Sequence, residues 1–321
     1  MPEAVVDATH ENVHLAVAWD WEYDYDFIRI LQRQAQRHNA KFLDISVYNL
    51  DEVLAALQKK TLKIAALLDR ASDTNELFLP LQTLAAEQQT YIINPFPISQ
   101  YTMDKAQMHY ELIRAGVNVP YTVILPAYDE ERKLDSALIK ELSKLQVPFV
   151  LKPANGGGGE GVVKSVYSPY DAAAWREQIS WDKYLAQEKI YPKYLYGWRC
   201  WFRAYYLFGD VEVLWWDDER HLYRLLSTAD KARVKFDAMT DTMHRIAKAS
   251  KMDFFSSELA LTTDDKLIAI DYVNDQIDLR IKSRHYDGLP DSFVEKVAEK
   301  LITFAKQQAA QKSTLGSTCN N

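Results

Sequence analysis

The 321-residue sequence is poor in cysteine, in long apolar runs and in basic charge, and each absence excludes a class of protein. Its two cysteines, Cys200 and Cys319, form no C-x-x-C pair and no disulfide framework, so we expect a reducing, cytoplasmic environment. No uncharged apolar run approaches the roughly 20 residues of a membrane helix, and the acidic start MPEAVVDATHENVH predicts no signal peptide. The net charge of −7 argues against nucleic acid or an anionic membrane as the main partner.

Several catalytic signatures are missing as well. The seven histidines show no H-E-x-x-H motif and no metal-ligand spacing, which argues against a zinc enzyme. There is no G-x-S-x-G nucleophile elbow, and neither cysteine lies in a nucleophile signature. The composition, with 48% hydrophobic and 26% charged residues, is that of a globular protein with a substantial core.

Glycine is also scarce, and half of it lies in one place. Five of the ten glycines fall between Gly156 and Gly161, in the segment FVLKPANGGGGEGVVKSVY. Because β-rich runs flank this segment on both sides, we expect a hairpin loop rather than an interdomain linker. Glycine lets the backbone come close to a ligand, its bare N–H groups bind anions, and Lys152 would add a positive charge. The sequence therefore favours a phosphate-binding loop, with a flexible hairpin tip that binds no ligand as the alternative.

The apolar pattern predicts how the chain is organised. Strand-like and helical runs alternate as far as residue 97, which is typical of an open α/β layer with a mostly parallel sheet. We expect three domains and a disordered tail, at 1–97, 98–190, 191–309 and 310–321. The second domain contains the glycine hairpin. The third contains two further hairpins, the first with its turn at Gly209 and Asp210, and a closing helix.

The last hairpin brings two acidic residues together. If its turn centres on the Asp-Asp pair of LTTDDKL, Glu258 and Asp271 lie opposite each other on the two strands. Like charges at such positions are destabilising, and a divalent cation removes the penalty; oxygen ligands suit Mg²⁺. Asn274 and Asp275 follow closely as further oxygen donors. The pattern predicts a Mg²⁺ site, and two solvated carboxylates on an exposed face are the alternative.

Four segments, taken in order, resemble the ATP-grasp superfamily. They are MDKAQMHYELIRAGVNVPYTVIL, the glycine loop FVLKPANGGGGEGV, the strand AQEKI, and the acidic hairpin SSELAL…KLIAIDYVND. The resemblance covers about 94–280, which is most of the chain. It implies an α/β (α+β) architecture in which an N-terminal open α/β domain precedes two α+β subdomains that sandwich ATP. The glycine hairpin would then belong to the lid subdomain in 98–190, and the Mg²⁺ site to the C-terminal subdomain in 191–309.

The resemblance also implies roles for individual residues. Lys105 and Lys152 would contact the ATP phosphates, and the loop would close over them through Gly156, Gly157, Gly158, Gly159 and Gly161. The hinge strand would hold adenine through Gln187, Glu188, Lys189 and Ile190. One or two Mg²⁺ ions, with Mn²⁺ as a substitute, would be bound by Glu258, Asp271 and Asn274. Arg199, with Lys152, would stabilise the transferring phosphoryl group.

Two positions depart from the family pattern. The family spaces its last acid and asparagine as E-x-N, whereas Asp271 and Asn274 are three apart and Tyr272 occupies the usual position of the acid. Either the strand bulges there or Asp275 contributes. In addition, the segment YPKYLYG after the hinge has no acid to bind the ribose hydroxyls.

The implied reaction is ATP-dependent ligation. A carboxylate would be activated as an acyl phosphate and attacked by an amine or a thiol, with release of ADP and phosphate. The substrates would be small molecules or peptides, and Arg280 and Arg284 are candidates to bind a substrate carboxylate, with plain surface charges as the alternative. A small-molecule kinase and a non-catalytic nucleotide-binding regulatory module are alternative functions, and a homodimer is one option for the oligomeric state.

Overall fold

The protein is described here by a computed structural model that covers residues 11–318. The chain forms two compact units. One unit combines the N-terminal segment up to Phe96 with the C-terminal segment from Gln276, and the other is Pro97–Asp275. Within residues 11–318, no helix combines the length and the apolar character needed to cross a membrane.

The N-terminal unit contains a four-stranded parallel sheet with the strand order β2-β1-β3-β4. Its strands are β1 (Glu11–Trp19), β2 (Phe42–Ile45), β3 (Leu62–Arg70) and β4 (Tyr91–Ile93). Its helices are α1 (Tyr25–Arg37), α2 (Leu50–Gln58), α3 (Leu79–Glu87) and α10 (Asp291–Thr318). β3 is almost continuously apolar and buried, as expected of a central strand covered by helices on both faces. The predicted open α/β layer is confirmed.

The closing helix α10 is part of this unit, although the sequence places about its first two thirds, residues 291–309, in the domain 191–309. The helix packs against α1, β1 and β3. Its apolar residues recur at helical spacing, and Val294, Val297 and Leu301 are fully buried. The helix continues to Thr318, through most of the segment predicted as a disordered tail, and residues 319–321 lie outside the described part of the chain.

The unit Pro97–Asp275 contains two antiparallel sheets. The smaller sheet has the order β5-β8-β6-β7. Its strands are β5 (Thr122–Leu125), β6 (Phe149–Pro153), β7 (Val163–Val166) and β8 (Tyr184–Gln187). β6 and β7 pair as a hairpin, with Phe149 opposite Val166, so the hairpin predicted around the glycines is confirmed.

The larger sheet has the order β13-β12-β11-β14-β15. The remaining strands, including the short ribbon β9–β10, are β9 (Tyr194–Leu195), β10 (Trp198–Arg199), β11 (Trp201–Leu207), β12 (Asp210–Asp217), β13 (Leu222–Leu225), β14 (Phe254–Leu261) and β15 (Leu267–Asn274). The helices are α4 (Phe96–Met103), α5 (Lys105–Arg114), α6 (Ser136–Leu142), α7 (Pro169–Trp175), α8 (Thr228–Lys231) and α9 (Phe236–Ser250). α9 packs on β11, β12 and β15, and α5 packs on β15, so the core between them lies on one face of the sheet.

The first hairpin of the larger sheet turns one residue earlier than predicted. Leu207 pairs with Asp210, so the turn residues are Phe208 and Gly209, not Gly209 and Asp210. Both turn residues have positive φ, +56° and +98°. Two-residue turns with positive φ at both positions match the twist of the flanking strands, and glycine adopts this conformation without steric cost.

Candidate nucleotide and magnesium site

Glu258 on β14 and Asp271 on β15 are direct cross-strand partners, as predicted. The register beside them is irregular, since the next pair towards the turn is Leu259 with Ala269. β15 therefore has one extra residue, Ile270, between these two pairs. Because directly opposed residues of an antiparallel pair lie on the same face of the sheet, the two carboxylates occupy neighbouring positions.

A second irregularity explains the spacing of Asp271 and Asn274. Asn274 pairs with Ser256, so β15 has three steps where β14 has two, and a bulge accommodates the extra residue. The Asn274 side-chain amide then donates a hydrogen bond of 3.0 Å to Oδ2 of Asp271. Of the two alternatives left open by the sequence, the bulge is the one that the strand contains. Tyr272, in the usual position of the acid, is 1% exposed and belongs to the core.

Two residues of β11 orient Glu258. A guanidinium nitrogen of Arg203 lies 2.6 Å from Oε1 of Glu258, and the indole N–H of Trp201 donates to Oε2 over 3.0 Å. Burial by itself would lower the pKa of Arg203, but the Glu258 carboxylate outweighs it and raises this pKa above its usual value, so the guanidinium stays charged. Sequence reasoning missed Arg203; the available signal was a single cation within the apolar run WFRAYYL of β11.

Lys152 lies in β6, and its side chain is buried with 7% exposure. Its Nζ donates to the backbone oxygen of Ile270 over 3.0 Å and lies 5.3 Å from the centre of the Tyr272 ring. Burial lowers the pKa of Lys152; the Asp271 carboxylate opposes this shift, and the positive charge of Lys105 adds to it. An ammonium group has three N–H donors, so one bond to a carbonyl leaves donors for an anion.

Asp271 remains ionised among these cations. Burial raises its pKa, but the ammonium groups of Lys152 and Lys105 and the guanidinium of Arg203 outweigh burial, and the pKa of Asp271 falls below its usual value. Two carboxylates and three cations therefore act on one another within the unit Pro97–Asp275. This is the arrangement expected where a cation and a polyanion bind together.

The loop between β6 and β7 adopts a backbone conformation that glycine alone takes readily. Four glycines have positive φ, between +63° and +95°: Gly156, Gly158, Gly159 and Gly161. A Cβ atom at any glycine of 156–159 would meet no atom within 4 Å, so the backbone there is open to a ligand. At Gly161, by contrast, a Cβ atom would lie 2.8 Å from Cδ1 of Ile179, so packing also requires this glycine.

Lys105 connects the first turn of α5 to this loop. Its backbone N–H donates to Ala154 over 2.9 Å, and its Nζ donates to the backbone oxygen of Gly156. Its charge also acts on Lys152 and Asp271. The glycine loop and the two lysines that are predicted to contact phosphate, Lys105 and Lys152, therefore lie close together.

The segment predicted to hold adenine leaves the sheet after β8. Strand pairing ends at Gln187, and the N–H of Glu188 donates to the backbone oxygen of Tyr121 over 2.8 Å. Within residues 11–318, the N–H groups of Lys189 and Ile190 have no protein acceptor and are available to a ligand. The Gln187 side chain, in contrast, is 3% exposed and bonded inside the protein.

Gln187 belongs to a buried hydrogen-bond chain that the sequence did not predict. Its amide donates to the Tyr272 hydroxyl over 3.0 Å, and this hydroxyl lies 2.7 Å from Nδ1 of His109. A Tyr272 hydroxyl that donates its proton to Nδ1 requires the neutral form of the His109 ring. Burial, and secondarily the charge of Lys152, lower the pKa of His109 to about 4, which agrees with the neutral form. The chain supports the Tyr272 ring beneath the ammonium of Lys152.

Arg199, at the end of β10, is engaged with acids of the loop after β12. One guanidinium nitrogen lies 3.3 Å from Asp218, and another is in contact with Glu219. The guanidinium also lies 5.7 Å from the centre of the Trp201 ring, whose indole holds Glu258. Arg199 is thus linked through Trp201 to the acidic pair.

The two arginines proposed for a substrate carboxylate lie in the N-terminal unit. Arg280 is already saturated, because its guanidinium forms two-pronged contacts with Asp278 and Asp287, with nitrogen–oxygen distances of 2.7–3.2 Å. It also lies over the rings of Trp21 and Tyr23, at 5.9 Å from each. Arg284 is exposed, and no acid lies within ion-pair distance of it in the described part of the chain.

The donor set fits Mg²⁺ rather than a transition metal. Among residues 11–318, no group of three or more histidine, cysteine, aspartate and glutamate side chains lies close enough to hold a metal. The acidic hairpin offers two carboxylates, and Asn274, whose amide nitrogen bonds to Asp271, keeps its amide oxygen for a ligand. Mg²⁺ is commonly held by one or two carboxylates together with water and substrate phosphates, so these residues are sufficient.

Comparison with known proteins gives matches among solved structures. Neither the family models nor the curated protein sequences match the chain. The ATP-grasp ligase PsnB, complexed with a minimal precursor, Mg and ADP, is similar with a TM-score of 0.63 and 15% identity, over 91% of this chain and 98% of that chain. A RimK domain ATP-grasp protein from Sphaerobacter thermophilus is similar with a TM-score of 0.59 and 19% identity, over 90% of this chain and 98% of that chain. The D-cycloserine synthetase DcsG is similar with a TM-score of 0.61 and 13% identity, over 91% of this chain and 99% of that chain. The chain therefore has the fold of the ATP-grasp superfamily.

Proposed function

We propose that this protein is an ATP-dependent ligase that joins a carboxylate to an amine or a thiol in the cytoplasm. The observation that carries the proposal is the position of Lys152, a buried cation that interacts with both Asp271 and Glu258. A phosphate-binding loop and a pair of carboxylates for a metal are thereby joined in one site. The similarity to ligases such as PsnB and DcsG supports this class of reaction.

The protein's own groups bind and orient the nucleotide. The free N–H groups of Lys189 and Ile190 bind the edge of adenine next to Glu188, while Gln187 supports the pocket from the core. The loop of Gly156, Gly157, Gly158, Gly159 and Gly161 covers the triphosphate with its backbone N–H groups. Lys105 and Lys152 neutralise the phosphate oxygens.

Glu258, Asp271 and Asn274 would hold one or two Mg²⁺ ions, with Mn²⁺ as a substitute. When bound, Mg²⁺ neutralises charge on the phosphate oxygens. Arg203 and Trp201 keep Glu258 in place for this role.

The reaction proceeds in two steps. A carboxylate oxygen of the substrate attacks the γ-phosphorus of ATP, and the bond to the β,γ-bridging oxygen breaks, which gives an acyl phosphate and ADP. The amine or thiol then attacks the acyl carbon, loses its proton, and expels phosphate. Arg199 and Lys152 stabilise the charge on the transferred phosphoryl group, and positioning supplies the rest of the acceleration.

The carboxylate substrate is a small molecule or a peptide. Neighbouring structures include PsnB with a precursor peptide and DcsG, a synthetase of a small molecule, so the fold accommodates both classes. Of the two arginines proposed for the substrate carboxylate, Arg284 is the better candidate, because Arg280 is occupied by Asp278 and Asp287.

The test follows ADP formation with Mg-ATP and pools of amino acids and small carboxylic acids. We expect ADP release that depends on an acceptor, and hydroxamate formation when hydroxylamine replaces the amine. ADP release without hydroxamate, and with a phosphorylated hydroxyl product, would instead support a small-molecule kinase. Nucleotide binding without turnover across broad pools would support a regulatory module. If neither ATP nor ADP changes the melting temperature, with or without Mg²⁺, the proposal is wrong.

A further inference from the structure

A polar cavity lies entirely within the N-terminal unit. It has a volume of about 330 Å³ and lies between α1, the segment around 281–284 and the start of α10. Its lining consists of Asp26, Arg29, Ile30, Arg33, Ile281, Ser283, Arg284 and Asp291. None of these residues belongs to the proposed nucleotide and Mg²⁺ site.

Three guanidinium groups dominate the cavity. Arg29 and Arg33 are four residues apart on α1, which places them as neighbours on one face of the helix, and Arg284 comes from the facing segment. All three are exposed. Like charges placed close together repel one another and a bound anion relieves this repulsion, whereas the chain as a whole is acidic, with a net charge of −7.

The two acids of the lining do not neutralise these arginines. Asp291 is the first residue of α10, and its Oδ1 accepts the backbone N–H of Ser283 over 3.0 Å. Asp26 lies in the first turn of α1, where a negative charge stabilises the helix. In the described part of the chain, neither acid lies within ion-pair distance of Arg29, Arg33 or Arg284. Three arginines against two aspartates leave the lining with one excess positive charge.

The floor of the cavity is apolar, which strengthens the contacts that these arginines can make with an anion. Ile30 and Ile281 are 3% and 9% exposed, so the arginines project from an apolar base. Arg29 is further restrained by Tyr25, whose ring centre lies 5.7 Å from the guanidinium carbon. Guanidinium groups bind phosphate and carboxylate through two parallel N–H donors, and a low-polarity base strengthens such contacts.

We propose that this cavity binds a small dianion, either a phosphate group or a pair of carboxylates. Two arginines from α1 and one from the facing segment would hold the anion between them, and the Ser283 hydroxyl would add a donor. The cavity shares no residue with the proposed nucleotide and Mg²⁺ site, and one of its three arginines, Arg284, is also the candidate contact for a substrate carboxylate.

The test is calorimetric titration of the full chain with inorganic phosphate and with malonate at constant ionic strength. We expect saturable binding of at least one anion. The anion that binds more tightly identifies whether the ligand group is a phosphate or a pair of carboxylates. Arg33→Gln and Arg284→Gln should each weaken binding about tenfold or more, as expected for the loss of a charge-assisted contact. The matched control is Arg37→Gln, an exposed arginine of the same helix outside the cavity, which should bind as the wild type does.

A second variant separates this site from the nucleotide site. Lys152→Met removes a phosphate contact of the proposed ATP site and should leave anion binding in the cavity unchanged. The proposal is overturned if neither anion binds at millimolar concentrations, if Arg33→Gln and Arg284→Gln bind as tightly as Arg37→Gln, or if Lys152→Met abolishes binding. Failure of the ligase assay with intact anion binding would contradict the proposed function and leave this proposal standing.

Discussion

Glu258 and Asp271 are paired across two strands whose register changes on both sides of them. Like charges at directly opposed positions normally destabilise a sheet. Here Arg203 contacts Glu258 at 2.6 Å, and the charges of Lys152 and Lys105 act on Asp271. The repulsion is therefore balanced by cations before any ligand binds, and Asp271 remains ionised.

Asp271→Asn should abolish the Mg²⁺-dependent part of nucleotide binding. The variant keeps the shape of the side chain and removes one of the two carboxylates for the metal. A ligand at about 100 times its dissociation constant stabilises a protein by about 2.7 kcal/mol, which is several degrees in melting temperature. A non-hydrolysable ATP analogue with Mg²⁺ should raise the melting temperature of the wild type by this amount. In the variant we expect most of that increase to be lost, as measured by calorimetry.

The control for this variant is Asp264→Asn in the turn of the same hairpin. Asp264 is exposed and pairs with Lys266 and Thr262 at the surface, so its replacement should leave the Mg²⁺-dependent shift intact. An equal loss of the shift in both variants would indicate general damage to the hairpin. An Asp271→Asn protein with a full Mg²⁺ response would remove this aspartate from the metal site.

Lys152→Met should weaken ATP binding. A hydrogen bond to a charged group contributes about 1.5–3 kcal/mol, so we expect roughly 10- to 100-fold weaker binding. The free protein should also be less stable, because buried Asp271 loses one of the cations that compensate its charge, so affinity is measured on protein shown to be folded. Lys164→Met, at an exposed position of β7, is the matched control and should bind ATP normally.

The same lysine gives the binding a pH dependence. Burial lowers the pKa of Lys152 below its ordinary value of 10.5, and only the ammonium form binds phosphate. The affinity for ATP should therefore decrease as the pH rises through this lowered pKa, earlier than for an exposed lysine. Titrations at increasing pH should show this decrease in the wild type and not in Lys152→Met. Parallel pH profiles of the two proteins would contradict this role.

Much of the site could be predicted from the sequence, because local patterns determine it. A strand–glycine–strand pattern specifies a hairpin loop, and the β6–β7 pairing follows from it. The position of Glu258 opposite Asp271 was also correct, although the reason was incomplete. The regular register assumed from the turn does not hold, since the pairs nearest the turn are shifted by one residue and the extra Ile270 restores the predicted pair.

Other features depend on contacts that the local sequence does not encode. Arg203 lies 55 residues before Glu258 and meets it only through the order of strands in the sheet. The sequence makes Arg280 a candidate to bind a substrate carboxylate, but in the structure Asp278 and Asp287 bind its guanidinium. The assignment of α10 to the N-terminal unit likewise depends on long-range packing against β1 and β3.

Gly159→Ala should be more damaging than Gly157→Ala in the same loop. Neither methyl group would meet an atom within 4 Å, so steric crowding is the same for both. Gly159 has φ of +80°, whereas Gly157 does not have positive φ, so only Gly159→Ala strains the backbone, by about 1–2 kcal/mol. We expect weaker nucleotide binding for Gly159→Ala and nearly unchanged binding for Gly157→Ala, measured by titration with ADP. Equal affinities would mean that the loop conformation does not matter for binding.

In His109→Gln, the free energy of unfolding should fall less steeply than in the wild type as the pH is lowered. The pKa of His109 is about 4 in the folded protein and 6.5 when unperturbed, so between these values the unfolded state binds the additional proton. The stability linked to His109 is fully present above pH 6.5 and is lost as the pH falls towards 4, by up to about 1.4 kcal/mol per pH unit. Between pH 7 and pH 4.5, the wild type should therefore lose about 2 kcal/mol more unfolding free energy than the variant, as measured by urea denaturation at each pH. Carboxylates elsewhere titrate in both proteins and cancel in this difference. If the two profiles run parallel, burial does not keep the His109 ring neutral.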